Sequence, residues 1–180
     1  MTIAAAAHAR DEIERTIRNV PDFPKPGIQF KDITPVLANA RLFAAAVDLL
    51  VAGHPPGSVD AVAGIDARGF IFAAAGALRL NAGFVPIRKQ GKLPYHTLEE
   101  SYDLEYGSNT VAIHADAVQP GARVLLLDDL LATGGTAAAA VKLLRRIGAE
   151  VVEVGFLVEL SFLRGRDRLA GVNVRSQVIY

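Results

Sequence analysis

The chain has 180 residues, 51% of them hydrophobic, with 19 basic and 19 acidic side chains and no net formal charge. A mean hydropathy of +0.28 and a pI near 6.9 give enough apolar material for a real core and no basic surface for nucleic acid or an anionic membrane. The absence of cysteine removes disulfides, thiolate metal sites and a cysteine nucleophile, and points to the reducing cytoplasm.

The opening MTIAAAAHARDEIERTI has too short an apolar run for a signal peptide and turns acidic at Asp11 and Glu12. No segment offers the roughly 20 apolar residues that span a bilayer. Ile13, Ile17 and Val20 share one face of a helix expected over residues 8–19, which stops where VPDFPKPG brings in three prolines and forces an extended loop. A second helix is expected from an Asn39 cap, with Leu42, Phe43, Ala46, Leu49 and Leu50 inward, to the GHPPG turn at Gly53. Apolar runs then alternate with polar turns and helical stretches, at 59–65, 83–87, 124–128 and 151–160. That is the βαβ pattern of a mostly parallel sheet in an α/β fold. Residues 101–114 alternate in polarity around a Tyr-Gly-Ser-Asn turn and read as an antiparallel hairpin. A last short strand is expected near 172–179. With no repeat and no interdomain linker, the chain reads as a single domain, 1–180. The four histidines, His8, His54, His96 and His114, show no ligand spacing.

Each candidate parallel strand is followed by a polar cluster: DARG at 66–69, RKQGK at 88–92 and DDLLATGGT at 128–136. In open α/β sheets the ligand crevice lies at the carboxyl ends of the strands, so topology alone brings the three together. Gly134, Gly135 and Thr136 open a helix, where unpaired N–H groups suit a phosphate. There is no GK[ST] after the glycines, so this is not a Walker A loop, and the Thr133 and Thr136 hydroxyls suit one terminal phosphomonoester. The blander reading is a tight turn with Thr136 as a helix cap. Asp128 and Asp129 would repel a phosphate unless they face hydroxyl donors or a cation in the same ligand, and a ribose diol supplies the donors. Arg68, Arg88, Lys89 and Lys92 together suit a second, more highly charged anion such as pyrophosphate, which commonly brings Mg²⁺ held by phosphate oxygens and water. Residues 88–101 are long for a connection and read as a mobile lid.

With these residues in view, the chain resembles the type I phosphoribosyltransferases, in their adenine-using branch. VLLLDDLLATGGT is similar to that family's phosphoribosyl pyrophosphate signature. The narrower likeness rests on DFPKPGIQFKDITPVL (22–37), GIDARGFIF (64–72), PIRKQGKLP (86–94) and SYDLEYG (101–107). The resemblance implies the type I fold, a mostly parallel central sheet flanked by helices, with a small base-binding hood from residues 1–38 and a lid at about 88–107. It implies transfer of the 5-phosphoribosyl group from phosphoribosyl pyrophosphate to adenine, giving AMP and pyrophosphate with Mg²⁺, in a cytoplasmic homodimer with no nucleic-acid or membrane partner. By the same resemblance Ala132, Thr133, Gly134, Gly135 and Thr136 hold the 5′-phosphate and Asp128 and Asp129 the ribose. Arg68, Arg88, Lys89 and Lys92 face the pyrophosphate, with the peptide bond before Arg68 expected to be cis. Gln29, Phe30 and Lys31 surround adenine, Phe30 stacking on the ring and Leu160 closing its other face; many relatives have arginine at Lys31, which would add a planar fork. Glu105 either handles the adenine proton or stabilises an oxocarbenium-like charge, with Tyr106 beside it. The Mg²⁺ is expected to have no direct protein ligand. The rival readings are a phosphoribosyltransferase for another purine or for orotate, and a non-catalytic sensor of phosphoribosyl pyrophosphate. A sensor ordinarily adds a DNA-binding domain or a basic surface.

Overall fold

A computed structural model of the chain describes residues 2–103 and 108–180; the expectations for Glu105 and Tyr106 lie outside the described residues. Two compact units are present, Met1–Leu49 and Leu50–Tyr180.

In the first unit α1 (Ile3–Thr16) starts at Thr2, whose Oγ1 accepts a hydrogen bond from the Ala5 N–H at 3.3 Å. The helix begins ahead of residue 8 because the alanine run is the best of helix formers once capped. It also ends earlier than expected. Val20 lies not on a helix face but in β1 (Arg18–Pro21), which pairs antiparallel with β2 (Gln29–Asp32), Val20 opposite Phe30. The proline-rich connection between them is ordered by the Gly27 N–H, which donates to Asp22 Oδ1 at 2.7 Å, and contains a cis Phe23–Pro24 bond. The short α2 (Thr34–Ala38) escapes the sequence reading because one turn and a half shows no periodicity. Asn39 does cap α3 (Ala40–Leu50): its Oδ1 accepts from the N–H groups of Arg41 and Leu42 at 3.1 and 3.2 Å.

The second unit is a seven-stranded sheet. Its strands are β3 (Ala61–Ile65), β4 (Gly83–Lys89), β5 (Thr97–Asp103), β6 (Ser108–His114), β7 (Arg123–Leu131), β8 (Glu150–Glu159) and β9 (Val174–Ile179), in the order β5-β6-β4-β3-β7-β8-β9. β4, β3, β7, β8 and β9 are parallel, and β6 runs antiparallel to both β4 and β5. Every residue of β3 is buried, as a central parallel strand covered on both faces requires. α4 (Arg68–Leu80) carries the chain from β3 to β4 on one side, and α5 (Gly135–Arg146) from β7 to β8 on the other. Right-handed crossovers running in opposite directions put the two helices on opposite faces. On one face Ala63, Ile65, Leu126 and Phe156 pack with Ala140, Leu143 and Leu144 of α5.

Two boundaries differ from expectation in ways that matter for the site. β7 does not stop at 128: β8 runs beside it, with Asp128 opposite Phe156 and Leu130 opposite Val158, so both acids sit inside the ladder. β5 starts at Thr97 because residues 97–103 find partners along β6, which leaves 90–96 as the connection.

Candidate active site

Strand order reverses between β3 and β7, and a crevice opens at their carboxyl ends. Arg68, Lys89, Tyr102, Asp128, Asp129 and Thr136 line one pocket there of about 390 Å³. Ala132, Thr133, Gly134, Gly135 and Thr136, again with Asp128, line an adjoining cavity of about 80 Å³. The three clusters read from the sequence are thus contiguous.

The acidic pair is managed by the start of α4. Asp128 lies against Gly69 and Asp129 against Arg68, and Asp128 also lines the cavity of the loop that opens α5. Asp129 is only 6% exposed, and its Oδ2 is paired with the Arg68 Nε. Asp128 Oδ1 accepts the Asp129 N–H at 2.9 Å. Burial first, and the Asp129 charge second, push the Asp128 carboxyl well above the ordinary carboxylate range, so without ligand it holds a proton more readily than a surface acid. Gly69 lets α4 come this close: a Cβ there would stand 2.6 Å from Asp128 Oδ1 and 3.1 Å from the Leu127 carbonyl.

Arg68 is the first residue of α4. The non-proline cis bond is Asp66–Ala67, one residue earlier than expected; the bond before Arg68 leads straight into helical backbone and is trans. Arg88 joins two of the clusters, its Nε donating to Asp66 Oδ2 at 3.2 Å and its Nη1 to the Lys92 carbonyl at 2.9 Å. Lys89 is exposed and lines the larger pocket. Lys92 is exposed too, its backbone held in the same turn by a 3.2 Å bond from its N–H to the Lys89 carbonyl.

α5 is capped by Gly134 in the left-handed region (φ 79°) and has no side-chain cap, so Thr136 is not the cap and its hydroxyl stays available. The loop is shaped from outside its own motif. A Cβ on Gly134 would run into the Gly165 carbonyl, and a Cβ on Gly165 into the Ala132 carbonyl. Gly165 opens the 3₁₀ turn Gly165–Leu169, far along the chain, and nothing local in the sequence signals its part. Tyr102 was also missed, although its alternation in the hairpin places it on β5, where it lines the pocket.

Gln29, Phe30 and Lys31 lie on β2 in the first unit; Gln29 is exposed, and Phe30 is half-buried and stacks edge-to-face on Phe23, centroids 5.1 Å apart. Leu160 follows the last residue of β8, half-buried, its N–H donating to the Leu131 carbonyl at 2.9 Å. Among the described residues no group of three or more His, Cys, Asp or Glu could hold a metal ion, and no helix is long and apolar enough to cross a membrane.

The phosphoribosyl transferase domain family matches residues 29–175. The chain is 57% identical to adenine phosphoribosyltransferase of Thermobifida fusca over 164 residues, covering 91% of this chain and 93% of that one. It is 60% identical to the enzyme of the same name from Acidothermus cellulolyticus over 160 residues, covering 89% and 90%. Among solved structures, adenine phosphoribosyltransferase from Rhodothermus marinus superposes with a TM-score of 0.91 at 51% identity, covering 97% of this chain and 99% of that one. The Saccharomyces cerevisiae enzyme, complexed with an imino-altritol bisphosphate and adenine, does so with a TM-score of 0.90 at 37% identity, covering 95% and 99%. With this fold, these strand-end clusters and these relatives, the chain belongs to the adenine phosphoribosyltransferase family of phosphoribosyltransferases.

Proposed function

We propose that this chain transfers the 5-phosphoribosyl group from phosphoribosyl pyrophosphate to adenine, releasing AMP and pyrophosphate in purine salvage, and that the crevice between β3 and β7 is the track on which it does so. The observation that carries the reading is the single pocket in which Arg68 and Lys89 meet Asp128, Asp129 and Thr136, continuous with the small cavity of the 132–136 loop. Cations at one end, a glycine-rich helix start at the other and two acids between them match a ligand with a diphosphate, a diol and a monophosphate in that order.

In this reading the N–H groups of Ala132 to Thr136 take the 5′-phosphate, and Asp128 and Asp129 accept from the ribose hydroxyls. Arg68, Arg88, Lys89 and Lys92 oppose the pyrophosphate charge as the bond at the anomeric carbon breaks. Arg88 has a second task, since its bonds to Asp66 and the Lys92 carbonyl hold the RKQGK turn against the DARG turn. Phe30 stacks on adenine, with Gln29 and Lys31 at the ring edge and Leu160 on the opposite face; a neutral flat base is selected by an aromatic face and amide hydrogen bonds without a charged partner. Glu105 takes the adenine proton or steadies the developing positive charge. Mg²⁺ brought with phosphoribosyl pyrophosphate would be held mainly by phosphate oxygens and water, and would supply positive charge to offset that of the leaving pyrophosphate. Residues 1–38 form a hood over the base, residues around 88–107 a lid, and the working form is a cytoplasmic homodimer.

A spectrophotometric assay with phosphoribosyl pyrophosphate and Mg²⁺ against adenine, hypoxanthine, guanine and xanthine tests the function. Turnover with adenine alone is expected; turnover with an oxo-purine in preference to adenine, or with none of the four, overturns it.

A further inference from the structure

We propose that the cavity between β5, α5 and the Gly165–Leu169 turn is a second anion site, for a phosphate monoester, adjoining the substrate track and sharing Tyr102 and Gly135 with its walls. It has a volume of about 410 Å³ and is lined by Ser101, Tyr102, Gly135, Ala138, Lys142 and Arg168 among others. The charge balance there differs from that of the substrate pocket. Lys142 Nζ lies 3.1 Å from Glu100 Oε1, and the same carboxylate also takes the Arg146 Nη1 at 3.2 Å. Arg168 is exposed and makes no ion pair or side-chain hydrogen bond among the described residues. Lys142 and Arg146 therefore share one carboxylate, Arg168 adds a third cation, and among the described residues no acid lines the cavity itself, whereas three acids, Asp66, Asp128 and Asp129, line the substrate pocket. Excess positive charge beside a walled space is the condition under which a doubly charged oxyanion gains most.

The remaining lining defines the rest of the ligand. The Ser101 hydroxyl, 2.9 Å from Thr110 Oγ1, can turn to donate to an oxyanion. The Tyr102 ring and the Ala138 methyl offer a flank to an organic group, and the space falls in the size range of small-molecule pockets, which is too large for a bare oxyanion. The phosphate thus belongs on Lys142 and Arg168 and the organic part on Tyr102. Tyr102 also lines the substrate pocket, so an occupant of the second site leans on a wall of the first.

The test uses the whole chain saturated with AMP, so that the 132–136 loop is already filled. Crystals of that complex soaked in tungstate should show an anomalous peak between Lys142 and Arg168; a filled AMP site and an empty cavity at saturating tungstate overturn the proposal. In solution, calorimetric titration of the AMP complex with inorganic phosphate should detect two sites, the open pyrophosphate position at Arg68 and Lys89 and this cavity. A Lys142→Ser, Arg168→Ser double variant, changed only at exposed positions, should lose at least about tenfold in phosphate affinity with unaltered adenine turnover, and undiminished affinity in that variant overturns the proposal. Absence of adenine turnover in the wild-type chain would refute the function above and leave this comparison readable, because the variant would still bind one phosphate fewer than the wild type.

Discussion

Gly165 offers a sharp test of how the phosphate loop is built. In Gly165→Ala the new Cβ would meet the Ala132 carbonyl, the Leu131 Cδ1 at 2.9 Å and the Gly134 nitrogen at 3.1 Å. Leu131 can rotate, but the other two atoms are backbone of the loop that is to hold the 5′-phosphate. Restoring ordinary contact, which begins at 3.4 Å, displaces the Ala132 peptide by about 1 Å, a misplacement that can cost on the order of 100-fold at a site that relies on aligned N–H groups. Overpacking of this kind destabilises by about 1–3 kcal/mol, a fall in Tm of about 3–10 °C for a chain of this size. Initial rates at varied phosphoribosyl pyrophosphate should therefore show KM for that substrate raised by tens-fold to about 100-fold, with KM for adenine little changed. Gly155→Ala is the control. Its Cβ would meet the Leu127 Cδ2 at 2.7 Å, in the core and away from the loop, so it should lower Tm without the selective rise in KM. A Gly165→Ala enzyme with wild-type KM and Tm, or one whose two KM values rise together, would refute the reasoning.

Asp128→Asn should cut kcat/KM for phosphoribosyl pyrophosphate while making the unliganded fold more resistant to urea at pH 7. Because the native carboxyl is raised above its unfolded value of 3.8, its contribution to stability is fully present below that value and is lost as pH rises through the native pKa, so the two proteins should converge near pH 4 and separate above it; a variant less stable at pH 7 would contradict this. Glu159, only 4% exposed, is paired with Arg166 at 2.7 Å and its pKa is lowered mainly by that hydrogen bond. Arg166→Ala should cost about 2–4 kcal/mol in urea denaturation, under the fully buried limit because Arg166 is itself partly exposed. In the wild type the pair's contribution holds at neutral pH and fades as acid brings pH below the ordinary Glu range, through the depressed pKa. Phe30→Ala should raise KM for adenine about tenfold with KM for phosphoribosyl pyrophosphate unchanged, and equal effects on both would remove Phe30 from the base site. Glu105→Gln should lower kcat by about 10²–10⁴ in single-turnover assays; undiminished turnover would remove Glu105 from the mechanism.

What the sequence made legible was whatever local periodicity or adjacency encodes. The apolar runs at 59–65 and 124–128 read as buried strands, and the polar groups after them had to meet at one edge of a parallel sheet. The site's main residues, Arg68, Lys89, Asp128, Asp129 and the 132–136 loop, followed from that. What escaped depends on contacts distant in sequence. β8 extends β7 past the acids, so the pair sits within a ladder, with Asp129 taken up by Arg68 and Asp128 set against Gly69. β2 captures β1 and cuts α1 short, which moves Val20 from a helix to a strand. Gly165 and Tyr102 reach the site from elements whose local sequence states only that a turn and a strand are present.

The most direct measurement of the central claim is a crystal structure of the chain with AMP, pyrophosphate and Mg²⁺. The account requires the AMP phosphate on the Ala132–Thr136 amides, the ribose hydroxyls against Asp128 and Asp129, and pyrophosphate against Arg68 and Lys89, with adenine stacked on Phe30. An AMP phosphate bound away from that loop, or a ribose out of reach of both acids, would contradict it.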